Sequence, residues 1–97
     1  MITSTFLVYN TRARVLFDSG ASRSFINIDF YKLLNLPSRK LICPLEIETA
    51  NGDLIKVTET VSGCVINLSG LNFSAHFLPM PISGFDIILG IVTPTFT

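Results

Sequence analysis

The chain has 97 residues, 48% of them apolar and 14% charged, and its seven Lys and Arg balance seven Asp and Glu to a formal net charge of zero. A chain this long buries roughly two-thirds of the surface its unfolded form exposes, enough for one domain (residues 1–97) around one core. The charge balance supplies no field to hold a phosphate backbone, which argues against nucleic-acid binding, and eight Phe with abundant Ile, Leu and Val argue against disorder.

Thr5-Phe6-Leu7-Val8-Tyr9 is β-branched and aromatic, Asn10-Thr11 can turn, and Ala13-Arg14-Val15-Leu16-Phe17 returns as a second strand that delivers Asp18 at its end. Asn27 is placed to cap a short helix over Ile28 to Leu34, with Ile28, Tyr31 and Leu34 on one face and Pro37 preventing continuation. Leu45 to Thr49 and Leu54 to Thr58 alternate apolar and polar residues around Ala50-Asn51-Gly52-Asp53. Asn-Gly in that setting signals a projecting hairpin with a type I′ turn. Gly63 to Asn67 and Asn72 to Leu78 form two further strands joined at Leu68-Ser69-Gly70-Leu71, and Phe85 to Leu89 is a last apolar strand that stops at Gly90. About seven strands and one short helix in so short a chain make a small, mostly antiparallel, all-β domain, a barrel or a sandwich.

No apolar run of about eighteen residues is present, so no helix spans a bilayer, and Met1 to Thr5 lacks the basic start and apolar stretch of a secretion signal. The two cysteines, Cys43 and Cys64, form neither a Cys-x-x-Cys motif nor a His-paired set, which fits reduced thiols in an intracellular protein better than a metal site or a disulfide. His76, the single histidine, lies in an alternating stretch and reads as a strand residue. Arg12, Arg14, Arg23, Arg39 and Lys40 are scattered and read as solvated. No cofactor and no metal is expected.

Chemistry is concentrated in Asp18-Ser19-Gly20-Ala21. A carboxylate at the end of an apolar strand is partly desolvated, and a Gly two residues on allows a tight turn whose amides can face it. Asp opening an ordinary Asx-turn is the plain alternative. Ser19 as a nucleophile is disfavoured, because no Gly-x-Ser-x-Gly surrounds it and His76 is the single candidate base.

Strand-Asp-Ser-Gly-Ala, a central Asn-Gly hairpin and a late Ile-Leu-Gly, in that order, resemble the retropepsins, the retroviral-type aspartic proteases. Within that group, Leu16-Phe17-Asp18-Ser19-Gly20-Ala21-Ser22 with Ser24-Phe25-Ile26, Ala50-Asn51-Gly52 and Gly84-Phe85-Asp86-Ile87-Ile88-Leu89-Gly90 look like the protease domain of gypsy-type LTR retrotransposon polyproteins, over about Thr5 to Gly90. The resemblance implies a closed retropepsin-like β-barrel that is one half of a symmetric homodimer, with Asp18 the catalytic carboxylate of each copy. It implies that Ser19, Gly20 and Ala21 support the catalytic turn, that Ala50, Asn51, Gly52 and Asp53 form a flap over an extended peptide, and that Ile88, Leu89 and Gly90 pack beneath the site. The implied substrate is a peptide or polyprotein, in the cytoplasm or within virus-like particles, with no nucleic acid and no membrane as partner of this domain. Asp86 falls in the final strand, and exposure or a local ion pair explains it better than catalysis.

One stretch departs from the pattern. Ile-Leu-Gly in gypsy-type domains leads into a helix, whereas Ile91-Val92-Thr93-Pro94-Thr95-Phe96-Thr97 carries Pro94 among β-branched residues and resists one. Retropepsin termini commonly contribute to the dimer interface, so a tail of this kind bears on dimer stability; an extended Ile91-Val92 could pair with Met1 to Phe6 of a partner. Two other readings remain open: a non-catalytic dimeric peptide-binding or assembly module with the same fold, and an unrelated β-domain with a chance Asp-Ser-Gly.

Overall fold

The computed structural model describes residues 2–18, 23–49, 52–68, 70–90 and 93–94. Its first hairpin joins β1 (Ile2–Val8) to β2 (Thr11–Phe17) in antiparallel register from Ile2↔Phe17 to Val8↔Thr11. The turn falls one residue earlier than the sequence suggests. Tyr9 and Asn10, at φ 49° and 62°, are its central pair, the positive values that a type I′ turn requires. A bulky side chain seldom takes such a φ, and here the Tyr9 hydroxyl accepts the Val65 amide at 3.3 Å. Along β2 the alternation is clean, with Ala13 and Val15 buried and Arg12 and Arg14 exposed.

A four-residue strand, β3 (Ser24–Asn27), leads directly into α1 (Ile28–Leu34). Asn27 is the expected cap: its Oδ1 accepts the amides of Asp29 at 2.8 Å and Phe30 at 3.2 Å. Its Nδ2 does a second job, donating to the Ile82 carbonyl at 2.6 Å. The helix ends at Asn35, which takes a left-handed conformation and returns its amide to Tyr31. The face that enters the core is rotated from expectation. Phe30 is the buried residue, with Tyr31 and Leu34 packed beside it, and Ile28 is half-buried outside that cluster.

β4 (Arg39–Glu48) and β5 (Leu54–Leu68) form the projecting hairpin, and both are longer than the alternating segments. β4 lies at an edge of the sheet, and its ladder shifts register between Lys40 and Leu45, the stretch that contains Pro44. An edge or a bulge is where a strand tolerates a residue with no N–H. β5 unites two segments that read as separate strands. Its first half pairs with β4, and from Val61 onward it pairs with β6 (Leu71–Met80), after a register break between Val61 and Cys64. An irregularity of that kind bends the strand that carries it, so β5 turns as it changes partner.

β7 (Ile87–Leu89) and β8 (Thr93–Pro94) complete the sheet, whose order is β1-β2-β7-β3-β6-β5-β4 with β8 beside β6. Most pairs are antiparallel, but β2–β7 and β3–β6 are parallel. The expected closed barrel is not formed. β1 and β5 approach each other, yet among the described residues no ladder joins them, and Tyr9 reaches Val65 with its side-chain hydroxyl instead of its backbone. Beyond the register break, β5 gives one edge to β6, and on the other, among the described residues, it forms no ladder. Residues 91 and 92, expected to extend toward a partner, lie outside the described set; Thr93 and Pro94 pair with Ser74 and Phe73 of the same chain.

Two apolar clusters fill the interior. The larger gathers Val8, Val15, Ile26, Val61, Ile66, Phe77, Ile87 and Leu89 from the strands with Phe30 from α1. The smaller, under the β4–β5 hairpin, has Val57, Leu78 and Met80 at its centre and half-buried Phe25, Leu41, Leu45, Ile47, Ile55 and Ile82 around it. His76 and Cys43 are exposed strand residues, and no helix among the described residues is long and apolar enough to cross a membrane.

Asn27 joins helix, strand and the loop at Ile82, so its removal is felt beyond a cap. Asn27→Ala is expected to cost about 2 kcal/mol, from a lost cap and a lost part-buried hydrogen bond, and to lower the melting temperature by roughly 8–16 °C. Asn27→Asp keeps the cap and loses the donor to Ile82, so thermal denaturation followed by circular dichroism should show it recovering about half of that loss.

Candidate active site

Asp18 is the first residue beyond β2, and β7 determines where it stands. Val15, Leu16 and Phe17 pair in parallel with Ile87, Ile88 and Leu89, and the ladder's next bond runs from the Asp18 amide to the Leu89 carbonyl at 2.8 Å. Six residues on, the buried Ser24 hydroxyl accepts the Gly90 amide at 3.0 Å. Leu89 and Gly90 therefore hold both ends of the segment between Asp18 and Ser24. Phe6 meets Phe17 edge-on, with ring centroids 5.9 Å apart and planes at 88°, and stiffens the strand end from which Asp18 emerges.

Of the residues the sequence singles out, the structure brings Asp18 together with Leu89, and Gly90 with Ser24. Asp18 is half-buried; Leu89 is buried, with Ile88 and Gly90 half-buried beside it. Ser19, Gly20 and Ala21 lie outside the described residues, as do Ala50 and Asn51. Gly52 and Asp53 are exposed at the end of the β4–β5 hairpin.

The hairpin loop differs from the expected two-residue type I′ turn. Thr49 donates its amide to the Asp53 carbonyl at 2.8 Å, and the Gly52 amide returns to the Thr49 carbonyl at 2.9 Å, so three residues separate the bonded pair Thr49 and Asp53. Gly52 takes φ +87°, the left-handed position that a three-residue loop reserves for glycine. The Thr49 hydroxyl accepts the Asp53 amide at 3.2 Å and tightens the base of the loop.

Asp86 stands just before β7, not within it; where the sequence suggests exposure or a local ion pair, it is half-buried and bonded to backbone groups. Its carboxylate accepts the backbone amide of Arg14 at 2.8 Å, its own amide donates to the Arg14 carbonyl at 2.9 Å, and its carbonyl accepts the Asn27 amide at 2.8 Å. The Arg14 guanidinium lies over the Phe85 ring, 5.4 Å from its centroid. Ser24 and the Asp86–Asn27 joint are the features that sequence reasoning did not assign. A serine and an asparagine flanking two apolar residues carry no periodic signal, and their partners lie 66 and 59 positions away in the chain. No group of three or more His, Cys, Asp or Glu among the described residues could hold a metal ion.

Chemically, the arrangement places a carboxylate at a backbone position fixed on one side by a buried strand. Sequence comparison decides its family. The model of the retroviral aspartyl protease family matches residues 1–92. The chain belongs to that family. Its fold is similar to that of the protease of simian foamy virus (mac), known from a solution structure, with a TM-score of 0.57 and 18% sequence identity over 92% of this chain and 87% of the viral one. No curated protein matches the sequence. The family's retropepsin-like architecture is thus present here as an open, mostly antiparallel sheet with one helix.

Ser24 offers a direct check of how the segment after Asp18 is held. Ser24→Ala leaves the Gly90 amide without its acceptor, a loss expected to be about 1–3 kcal/mol. In urea unfolding the midpoint should fall while the slope stays at the wild-type value, since the surface exposed on unfolding hardly changes.

Proposed function

We propose that this chain is an aspartic endopeptidase that works as a homodimer, each copy giving one Asp18, and that it processes the polyprotein of a gypsy-type LTR retrotransposon. The observation that carries the reading is Asp18 itself: the carboxylate of the chain's one Asp-Ser-Gly, at the end of β2, with its amide fastened to Leu89. Membership of the retroviral aspartyl protease family supplies the reaction class. Peptide hydrolysis by this chemistry takes two carboxylates that share one proton, because two like charges in contact do not both ionise. The ionised one takes a proton from water as the water oxygen bonds to the peptide carbon, and the protonated one gives its proton to the carbonyl oxygen. The chain has one Asp-Ser-Gly, so the second carboxylate comes from a second copy, and a twofold axis sets Asp18 opposite its mate.

In this reading Ser19 ties the two turns together across the axis, while Gly20 and Ala21 allow close approach. The loop Ala50–Asp53 closes over an extended peptide of about six to eight residues, which adds as a strand. Ile88, Leu89 and Gly90 brace the catalytic turn from below. A second reading, the same fold as a non-catalytic peptide-binding or assembly module, is favoured by one observation. Thr93–Pro94 pairs with β6 of its own chain, which takes that part of the tail away from an interface between copies.

Cleavage of an unfolded protein substrate at mildly acidic pH separates the two. An enzyme of this kind is inhibited by pepstatin, and Asp18→Asn lowers its rate by on the order of 10³-fold or more. Below the dimer dissociation constant its rate rises roughly as the square of the protein concentration. A folded wild-type chain that cleaves nothing at high concentration supports the module instead.

A further inference from the structure

We propose that Asp86 is the positioning residue of the site: its carboxylate sets the register of β7 against β2 and, through Leu89, fixes where Asp18 stands. β7 is short. Three of its residues pair with β2 and two of them with β3. Strand register is ordinarily enforced by burial, because a slip of one residue turns every side chain to the opposite face. That safeguard is weak here, since Ile87, Ile88 and Leu89 are all apolar and a slipped strand still presents apolar side chains to the core. Ladder hydrogen bonds do not discriminate either, because a slipped ladder makes as many.

The polar residue at the strand's start does discriminate. Asp86 brackets Arg14 twice, accepting its amide with Oδ2 at 2.8 Å and donating to its carbonyl at 2.9 Å, and accepts the Asn27 amide on its other side at 2.8 Å. A slip of one residue would break all three bonds and move the carboxylate away from the one β2 amide it reaches. A carboxylate on a backbone amide is a charge-assisted bond, stronger than a ladder bond. Three residues further along, the same register brings the Leu89 carbonyl to the Asp18 amide and the Gly90 amide to Ser24. Asp86 thus acts on Asp18 without touching the reacting atoms.

The consequence for catalysis rests on the proposed protease activity, whereas the consequence for register does not, and amide hydrogen exchange reads the second by itself. In Asp86→Ala, exchange at the Asp18 and Gly90 amides is expected to quicken at least about tenfold, with the amides of β5 and β6 unchanged, and Asp86→Asn, which keeps an acceptor oxygen, to stay within about threefold of wild type. In the cleavage assay, Asp86→Ala should lower kcat by about tenfold or more at nearly unchanged KM, and Asp86→Asn should restore it. Should Asp86→Ala fail to fold, Asp86→Ser, with a shorter acceptor, takes its place and is expected to show the same selective loss at Asp18 and Gly90. Wild-type exchange at Asp18 and Gly90 in the Ala or Ser variant overturns the proposal, as does a uniform rise across the sheet, which would make Asp86 a contributor to global stability alone. A wild-type chain without cleavage, combined with selective exchange, sustains the register assignment and sinks the enzyme.

Discussion

The structure depends on a three-residue strand threaded between two others. Among the described residues β7 is the strand whose ladders join the β1–β2 hairpin to the strands from β3 to β4, and it meets β2 in parallel and β3 in antiparallel fashion. Ile87 and Leu89 are fully buried and Ile88 half-buried, so the strand's backbone polar groups have to find partners within the protein. That requirement sends the Leu89 carbonyl to Asp18 and the Gly90 amide to Ser24. The local geometry around the acidic residue is therefore a by-product of satisfying a buried strand end.

Around that strand, polar side chains do the fastening and apolar ones the filling. Asn27 uses both ends of its amide, one to start α1 and the other to hold the loop at Ile82. Asp86 and Ser24 each take a backbone amide from a distant segment. Each of these bonds is small beside the total apolar burial, but each settles a choice that hydrophobic burial leaves open. The larger apolar cluster supplies cohesion without direction.

Much of this was legible in the sequence. The helix from Ile28 to Leu34 and its Asn27 cap were readable because capping and Pro37 act over a few residues, and β2 was readable because Ala13 and Val15 alternate with arginines. β3 was not, since four residues directly before a helix are too few to show a period, and the first half of β4 was not, since an exposed edge strand with Pro44 has no alternation. The turn types were exchanged. The left-handed pair falls at Tyr9-Asn10, where a distant amide at Val65 meets the Tyr9 hydroxyl, while Gly52 closes a three-residue loop. Closure of the barrel failed for a similar reason, because whether two strand edges meet is decided by bends such as the one in β5, which no local pattern encodes. At the site, the sequence pointed to Asp18 and to Ile88-Leu89-Gly90, but the partners that join them, Ser24 and Asp86, are set by tertiary contacts between residues far apart in the chain.

The place of β7 in the sequence bears on the timing of folding. The strand that joins the two parts of the sheet spans residues 87–89, some seventy positions after the β2 strand it pairs with. Until it is synthesised, the β7-facing edges of β2 and β3 have no neighbour to pair with, and the loops to be closed are long and entropically costly. A nascent chain can form the β1–β2 and β4–β5 hairpins early, since their partners are local. Asp18 precedes its Leu89 partner by about seventy residues and has no such carbonyl to bind until they have been added. Order at this backbone position accordingly waits on a contact made later than either hairpin.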